Sequence, residues 1–230
     1  MSVSQRQRQY LAAMGIPVWV SRDGGALPAE EAGSAAARGE DAESRWQALE
    51  ARVAACTRCE LHKSRTQTVF GTGSHEARLL VIGEAPGADE DRQGEPFVGR
   101  AGRLLNEMLL AIGLRRETVY IANILKCRPP NNRDPRPEEV VSCEPWLKGQ
   151  IDLLQPQVIL AVGRIAAQNL LKRDERIGAM RGRVHHYGEA RIPVIVTYHP
   201  AYLLRSPKEK RKAWEDLKKV RQFLASSPGA

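Results

Sequence analysis

The sequence predicts an α/β protein: a three-layer α/β/α sandwich around a central four-stranded parallel sheet, with an N-terminal appendage. Three observations predict it. Short apolar runs at residues 79–83, 119–124, 158–162 and 194–197 have strand length and little alternation, the pattern of strands buried on both faces. Helical segments stand between them, as the crossovers of a parallel sheet require. Polar clusters close three of the runs (the Glu84 loop, Asn123 and "YHPAYLLR"), at the carboxyl edge where such sheets bind ligands.

Along the chain, residues 1–44 read as an appendage and linker, and residues 45–225 as the globular domain. Residues 22–44 are rich in Gly, Ala, Ser, Glu and Asp, a linker composition. Ser44 is placed to cap a helix through "RWQALEARVAAC", which delivers Cys56 and Cys59 at its end. "AGRLLNEMLLAIGL" carries Leu104, Leu105, Met108, Leu109 and Ile112 on one face and stops at Gly113. "RPEEVVSCEPWLKGQIDLL" opens with Pro137 in its first turn, and Pro145 is expected to kink or interrupt it. "GRIAAQNLLKR" follows the third run, and a basic helix over about 207–225 closes the chain.

At 230 residues and 42% hydrophobic content the chain has material for one sizeable core. No apolar run approaches the roughly 20 residues of a membrane span, and no signal peptide is visible, so a cytoplasmic protein is expected. The net charge of +8 is unevenly spread. Residues 203–222 carry eight Lys/Arg against three acids, and residues 126–136 carry four against one. Clustered basic charge points to a polyanionic partner, most simply nucleic acid.

Four cysteines in a cytosolic chain are poor disulfide candidates. Cys56-x2-Cys59 followed by Cys127 and Cys143 suggests thiolate ligation of zinc or of an iron–sulfur cluster. Only one short knuckle is present, and the last two cysteines sit on separate segments. That spacing favours a cluster tying distant elements together; a redox dithiol is the other reading of the pair.

The stretch "VIGEAPGADEDRQGEPFVGRAG" poses the functional question. Its glycines at a strand-to-helix turn suggest a phosphate loop. Yet no Lys-Ser/Thr follows them, there is no G-x-G-x-x-G, and Glu84, Asp89, Glu90 and Asp91 would repel a polyphosphate.

Taken together, "GEAPGADED", "GEPFVGRAG", "ANILKCRPPNNR", "TYHPAYLLR" and the four cysteines resemble the uracil-DNA glycosylase superfamily, specifically its family 4 enzymes, over roughly residues 45–222. The resemblance implies that the loop holds a uracil flipped out of DNA. It implies a [4Fe-4S] cluster on Cys56, Cys59, Cys127 and Cys143. Phe97 would supply an aromatic face, and the Asn123 amide would pair with uracil O4 and N3–H. Backbone N–H groups at Glu84 and Ala85 would meet O2, with Gly87 allowing close approach. His199 would donate to O2 as the N1–C1′ bond breaks and negative charge collects on the base. Family 1 relatives carry an Asp where this chain has Ala85, so Glu84 is the first choice for positioning the attacking water. Glu90 is the second, or else crowds uracil C5 to exclude thymine. Leu203 would wedge into the duplex, while Arg205, Arg100, Lys126 and Arg128 would meet phosphates.

The same resemblance raises two rivals. Relatives that bind uracil-DNA covalently carry a basic, His-containing insert where this chain reads "RPPNNRDPRP". A non-catalytic nucleic-acid-binding module would have no need to keep Asn123, Phe97 and His199 together. The expected partner is therefore uracil-containing DNA, met by a monomer in the nucleoid of a bacterial or archaeal cell. A second partner is suggested by residues 5–22: "YLAAMGIPVWVSR" is similar to the N-terminal peptide of the psi subunit of bacterial clamp loaders, which implies docking on a replication or repair protein.

Overall fold

The computed structural model describes residues 29–226. Residues 5–22, on which the docking-peptide expectation rests, lie outside the described residues. The chain divides into two units, Met1–Asp41 and Ala42–Ala230; the sheet and both of its cores belong to the second. The first described element, helix α1, runs Ala29–Ala54. It begins well ahead of Ser44, so Ser44 lies inside a helix rather than capping one, and residues 29–44 are helical rather than linker. The alanines and glutamates that read as linker composition are also strong helix formers.

From there the order is β1 (Thr72–Gly73), β2 (Leu79–Gly83), α2 (Ala88–Gln93), α3 (Arg100–Leu110), β3 (Tyr120–Asn123), α4 (Pro137–Leu154), β4 (Val158–Val162) and α5 (Arg164–Leu171). Then come α6 (Ile177–Met180), β5 (Val184–Tyr187), β6 (Ile192–Thr197), α7 (Pro200–Arg205) and α8 (Lys210–Ala225). Among the described residues one six-stranded sheet has the order β1-β3-β2-β4-β6-β5. Its four central strands are parallel, in register from Leu80 opposite Tyr120 to Val162 opposite Thr197. They are the four runs seen in the sequence. The two edges were not anticipated: β1 and β5 pair antiparallel to β3 and β6.

Side chains alternate across the sheet into two cores. Leu80, Ile82, Ala122, Ile159, Ala161 and Val196 face Trp46, Val53, Trp146, Ile151 and Ala167. Leu79, Val81, Ile121, Leu160, Val162 and Ile195 face Leu105, Leu109, Leu217 and Val220. The three-layer sandwich stands. Pro145 does not break α4, which runs unbroken through it. A proline removes the hydrogen bond to the carbonyl four residues earlier. Here that residue is Val141, 66% exposed, so water is at hand to replace the lost donor.

The crossovers fix where chemistry gathers. The chain leaves β2 for β3 on one side, then reaches β4 on the other side of β2. The loop after β2 therefore opens at a switch point, with the end of β3 on one side and those of β4 and then β6 on the other.

Candidate active site

One cleft of roughly 540 Å³ opens at that edge, with Glu84, Ala85, Gly87, Glu90, Phe97, Asn123, His199 and Arg205 in its lining. The sheet register explains the floor. Gly83 and Asn123 end neighbouring strands directly opposite one another. A Cβ on Gly83 would stand 2.4 Å from Asn123 Oδ1 and 2.6 Å from Phe97 Cζ, so only glycine leaves room for both groups. Asn123 is buried, and its Oδ1 has no hydrogen-bond partner among the described residues. A buried acceptor left open costs free energy unless a ligand supplies the donor.

Phe97 occupies a left-handed conformation, φ 56°, unusual for a bulky residue. Three contacts hold it there. Arg116 donates to the carbonyls of Phe97 (3.3 Å) and Pro96, and Gly102 lets α3 approach so closely that a Cβ would overlap the Phe97 carbonyl. Glu90 accepts from Val98 N at 3.0 Å and Gly99 N at 3.3 Å through Oε1, and from Gly87 N at 3.0 Å through Oε2. It clamps the two sides of the loop together. Gly87 is thereby explained differently from expectation. Its N–H serves Glu90, and a Cβ there would meet Glu90 Oε2 at 2.7 Å.

His199 caps α7, its Nδ1 accepting from Ala201 N at 3.1 Å. With Nδ1 an acceptor, the neutral ring carries its proton on Nε2. Burial, helped by the Arg205 charge and opposed by Glu90, pushes its pKa down to about 4. The ring is therefore neutral at pH 7. It lies 5.6 Å from the Phe97 ring, centroid to centroid. Gly163 makes room for it; a Cβ there would sit 3.1 Å from His199 Cβ. Burial and the Asp134 charge raise the Glu84 carboxyl to about 7, with Arg164 opposing. Asp134 also lines the cleft and accepts from Arg164 at 3.0 Å.

Two expected site residues are elsewhere. Leu203 is fully buried in the core beneath α7, so it cannot wedge into a duplex from this position. Its neighbour Leu204 is 37% exposed. Lys126 is fully buried, its Nζ donating to the carbonyls of Phe70 (3.1 Å) and Asn123 (3.0 Å) and to Gln150 Oε1 (2.6 Å). It braces the chain behind Asn123 and reaches no phosphate. Arg100 and Arg205 are exposed, and Arg128, half-exposed, donates to Asn132 Oδ1 at 2.8 Å. Arg116, Gly102, Gly163 and Asp134 went unnoticed in the sequence. The one available signal was Gly102, inside a helical pattern where glycine needs a reason.

A second cavity gathers all four cysteines with Val53, Arg58, His62, Arg65, Lys126 and Trp146. Arg65 Nη1 donates to Cys127 Sγ at 3.0 Å, and Lys126 N to Cys143 Sγ at 3.2 Å. Among the described residues no group of three or more His, Cys, Asp or Glu is gathered to hold a single metal ion.

A switch-point cleft of this make-up, on a parallel sheet flanked by helices, defines a class, and the chain belongs to the Uracil DNA glycosylase superfamily, whose family model matches residues 70–218. Within that superfamily it is similar to type 4 enzymes. It is 48% identical over 175 residues to the Type-4 uracil-DNA glycosylase of Archaeoglobus fulgidus, covering 73% of this chain and 87% of that one. It is 45% identical over 177 residues to that of Thermotoga maritima, covering 75% and 91%.

Proposed function

We propose that the chain excises uracil from DNA by hydrolysing the bond between uracil N1 and deoxyribose C1′, leaving an abasic site for repair. The observation that carries this reading is the buried, unpartnered Asn123 Oδ1, in one cleft with the Phe97 ring and a neutral His199. Uracil offers an N3–H to that oxygen, and the amide N–H₂ offers a donor to O4. Cytosine presents the reverse pattern and leaves both unsatisfied. The fixed, strained backbone at Phe97 gives the base a rigid aromatic floor.

As the N1–C1′ bond breaks, its electron pair stays on the base and charge spreads to O2. His199 Nε2–H and the backbone N–H at Ala85 are the donors assigned to that oxygen. A water attacks C1′ and yields a proton to Glu84, whose raised pKa suits a group that must accept one near neutrality. Glu90, held by three backbone donors, is rigid enough to stand against a thymine methyl. Arg100, Arg128 and Arg205 are the phosphate contacts, and Leu204 replaces Leu203 as the apolar wedge. The domain assigned to this activity is residues 45–225.

Cys56, Cys59, Cys127 and Cys143 are assigned to a [4Fe-4S] cluster. The four thiols surround one cavity, with N–H donors already aimed at two sulfurs. A single zinc would draw its sulfurs to about 2.3 Å from one point, whereas a cluster spans a wider cage. When bound, the cluster would tie together the three segments that carry these cysteines. It takes part in none of the steps above.

The test is incubation with a uracil-containing oligonucleotide followed by alkali. Strand cleavage at the uracil is expected. A stable protein–DNA adduct, or an intact strand, overturns the reading.

A further inference from the structure

Among the described residues, one buried side-chain nitrogen on the wall of the cysteine cavity lacks a partner. Trp146 Nε1 is buried, and its N–H has no acceptor among the described residues. The residue is 7% exposed and lines the cavity beside the cysteines. It stands three residues after Cys143 on α4, and that spacing brings the two onto one helix face. The guanidinium carbons of Arg52 and Arg58 lie 5.3 and 5.6 Å from its ring centroid. Cations over the face of an indole draw on its π electrons, which makes the N–H a stronger donor. Burying an indole N–H without a partner is costly, and buried Trp ordinarily finds one. What this cavity lacks is an acceptor.

We propose that Trp146 donates its indole N–H to a sulfur of the bound iron–sulfur cluster. It completes a set of three donors with Arg65 Nη1 on Cys127 and the Lys126 backbone N–H on Cys143. The inference rests on the cluster assignment above. Donors to the sulfurs favour the more negative, reduced form of a cluster and move its potential upward. Trp146 is thus a tuning residue that touches neither uracil nor DNA. It also gives a role to the polar edge that distinguishes this aromatic from phenylalanine.

The experiment uses holoprotein, purified anaerobically, with tryptophan labelled by ¹⁵N in the indole ring. Pulsed EPR of the reduced cluster should show a ¹⁵N hyperfine coupling that is lost in Trp146→Phe. At one fixed applied potential, the ratio of reduced to oxidised cluster should fall roughly three- to tenfold in the variant, with iron per chain unchanged. Retained iron with the same ratio and no ¹⁵N coupling in the wild type overturns the inference. Should Trp146→Phe fail to fold, absence of the wild-type coupling is decisive by itself. Wild-type protein that holds no iron overturns the cluster assignment instead, so the two failures are told apart.

Discussion

The base cleft and the cysteine cavity lie at the two ends of one short segment, Asn123 to Cys127, yet they are finished in different ways. The cleft is complete once the chain folds. Its acceptor at Asn123, its neutral donor at His199 and its aromatic floor at Phe97 are held by protein alone. The cysteine cavity is lined by four thiols instead. Burial raises the thiol pKa of Cys59 and Cys127, and pushes Cys143 up to about 11. Such thiols are protonated at neutral pH, and the cluster proposed above would bind them as thiolates. Lys126 joins the two regions: its backbone N–H points to Cys143 and its ammonium to the Asn123 carbonyl. The difference teaches that, under the proposed function, holding the base and binding the cluster are separate problems, placed on opposite sides of a single buried lysine.

That separation can be broken by experiment. The largest effect should come from His199→Ala. Loss of one donor to the developing charge should slow single-turnover excision by about 10²–10³-fold, while iron content stays at the wild-type level. If iron falls with the rate, the two regions are not independent. Next is Leu203→Ala. Because Leu203 is core, the change should lower stability by about 2–5 kcal/mol in denaturant unfolding and affect single- and double-stranded substrates alike. A selective loss on duplex DNA would return Leu203 to the wedge.

The pH profile sharpens the comparison further. Glu84 must be ionised to take a proton, so the single-turnover rate should rise about tenfold per pH unit up to near pH 7 and then level. His199, neutral down to about pH 4, contributes nothing to that limb. Glu84→Gln should flatten it; a limb that survives assigns it to another group. For stability the sign is opposite. The folded carboxyl keeps a proton that the unfolded one releases near 4.5, so this group's contribution declines as pH rises from 4.5 toward 7. Arg116→Met should come next, through the Phe97 loop. It should raise KM roughly tenfold with a smaller change in kcat, because the aromatic floor loosens while His199 is untouched. Partial rescue by Arg116→Lys separates the clamp from general destabilisation. The smallest effect should be that of Leu204→Ala, a few-fold loss confined to duplex substrates, read as the ratio of duplex to single-strand rates.

What the sequence determined by itself was set by unambiguous local patterns. The central strands at Leu79–Gly83 and Val158–Val162 are apolar throughout because both faces are covered, and no other short element looks like that. That Glu84, Asn123 and His199 would line one cleft was legible because each lies at or just past a strand's carboxyl end, where the fold class puts its ligands. The edge strands were not. Thr72–Gly73 is two residues long, and Val184–Tyr187 alternates exposed with more buried positions; both exist only because a neighbour offers hydrogen bonds.

Only tertiary structure could separate Leu203 from Leu204, adjacent leucines on one short helix whose fates depend on which side meets the core. It likewise turned Lys126 from a phosphate contact into a buried brace. A lysine's charge is visible in a sequence. Of the three oxygens that satisfy this one, only that of Asn123 comes from its own turn; the others stand 56 residues before it, at Phe70, and 24 after it, at Gln150. Local pattern reports what one segment prefers in water. Which side chains end up sharing a cavity depends on distant segments meeting, and that information is not local.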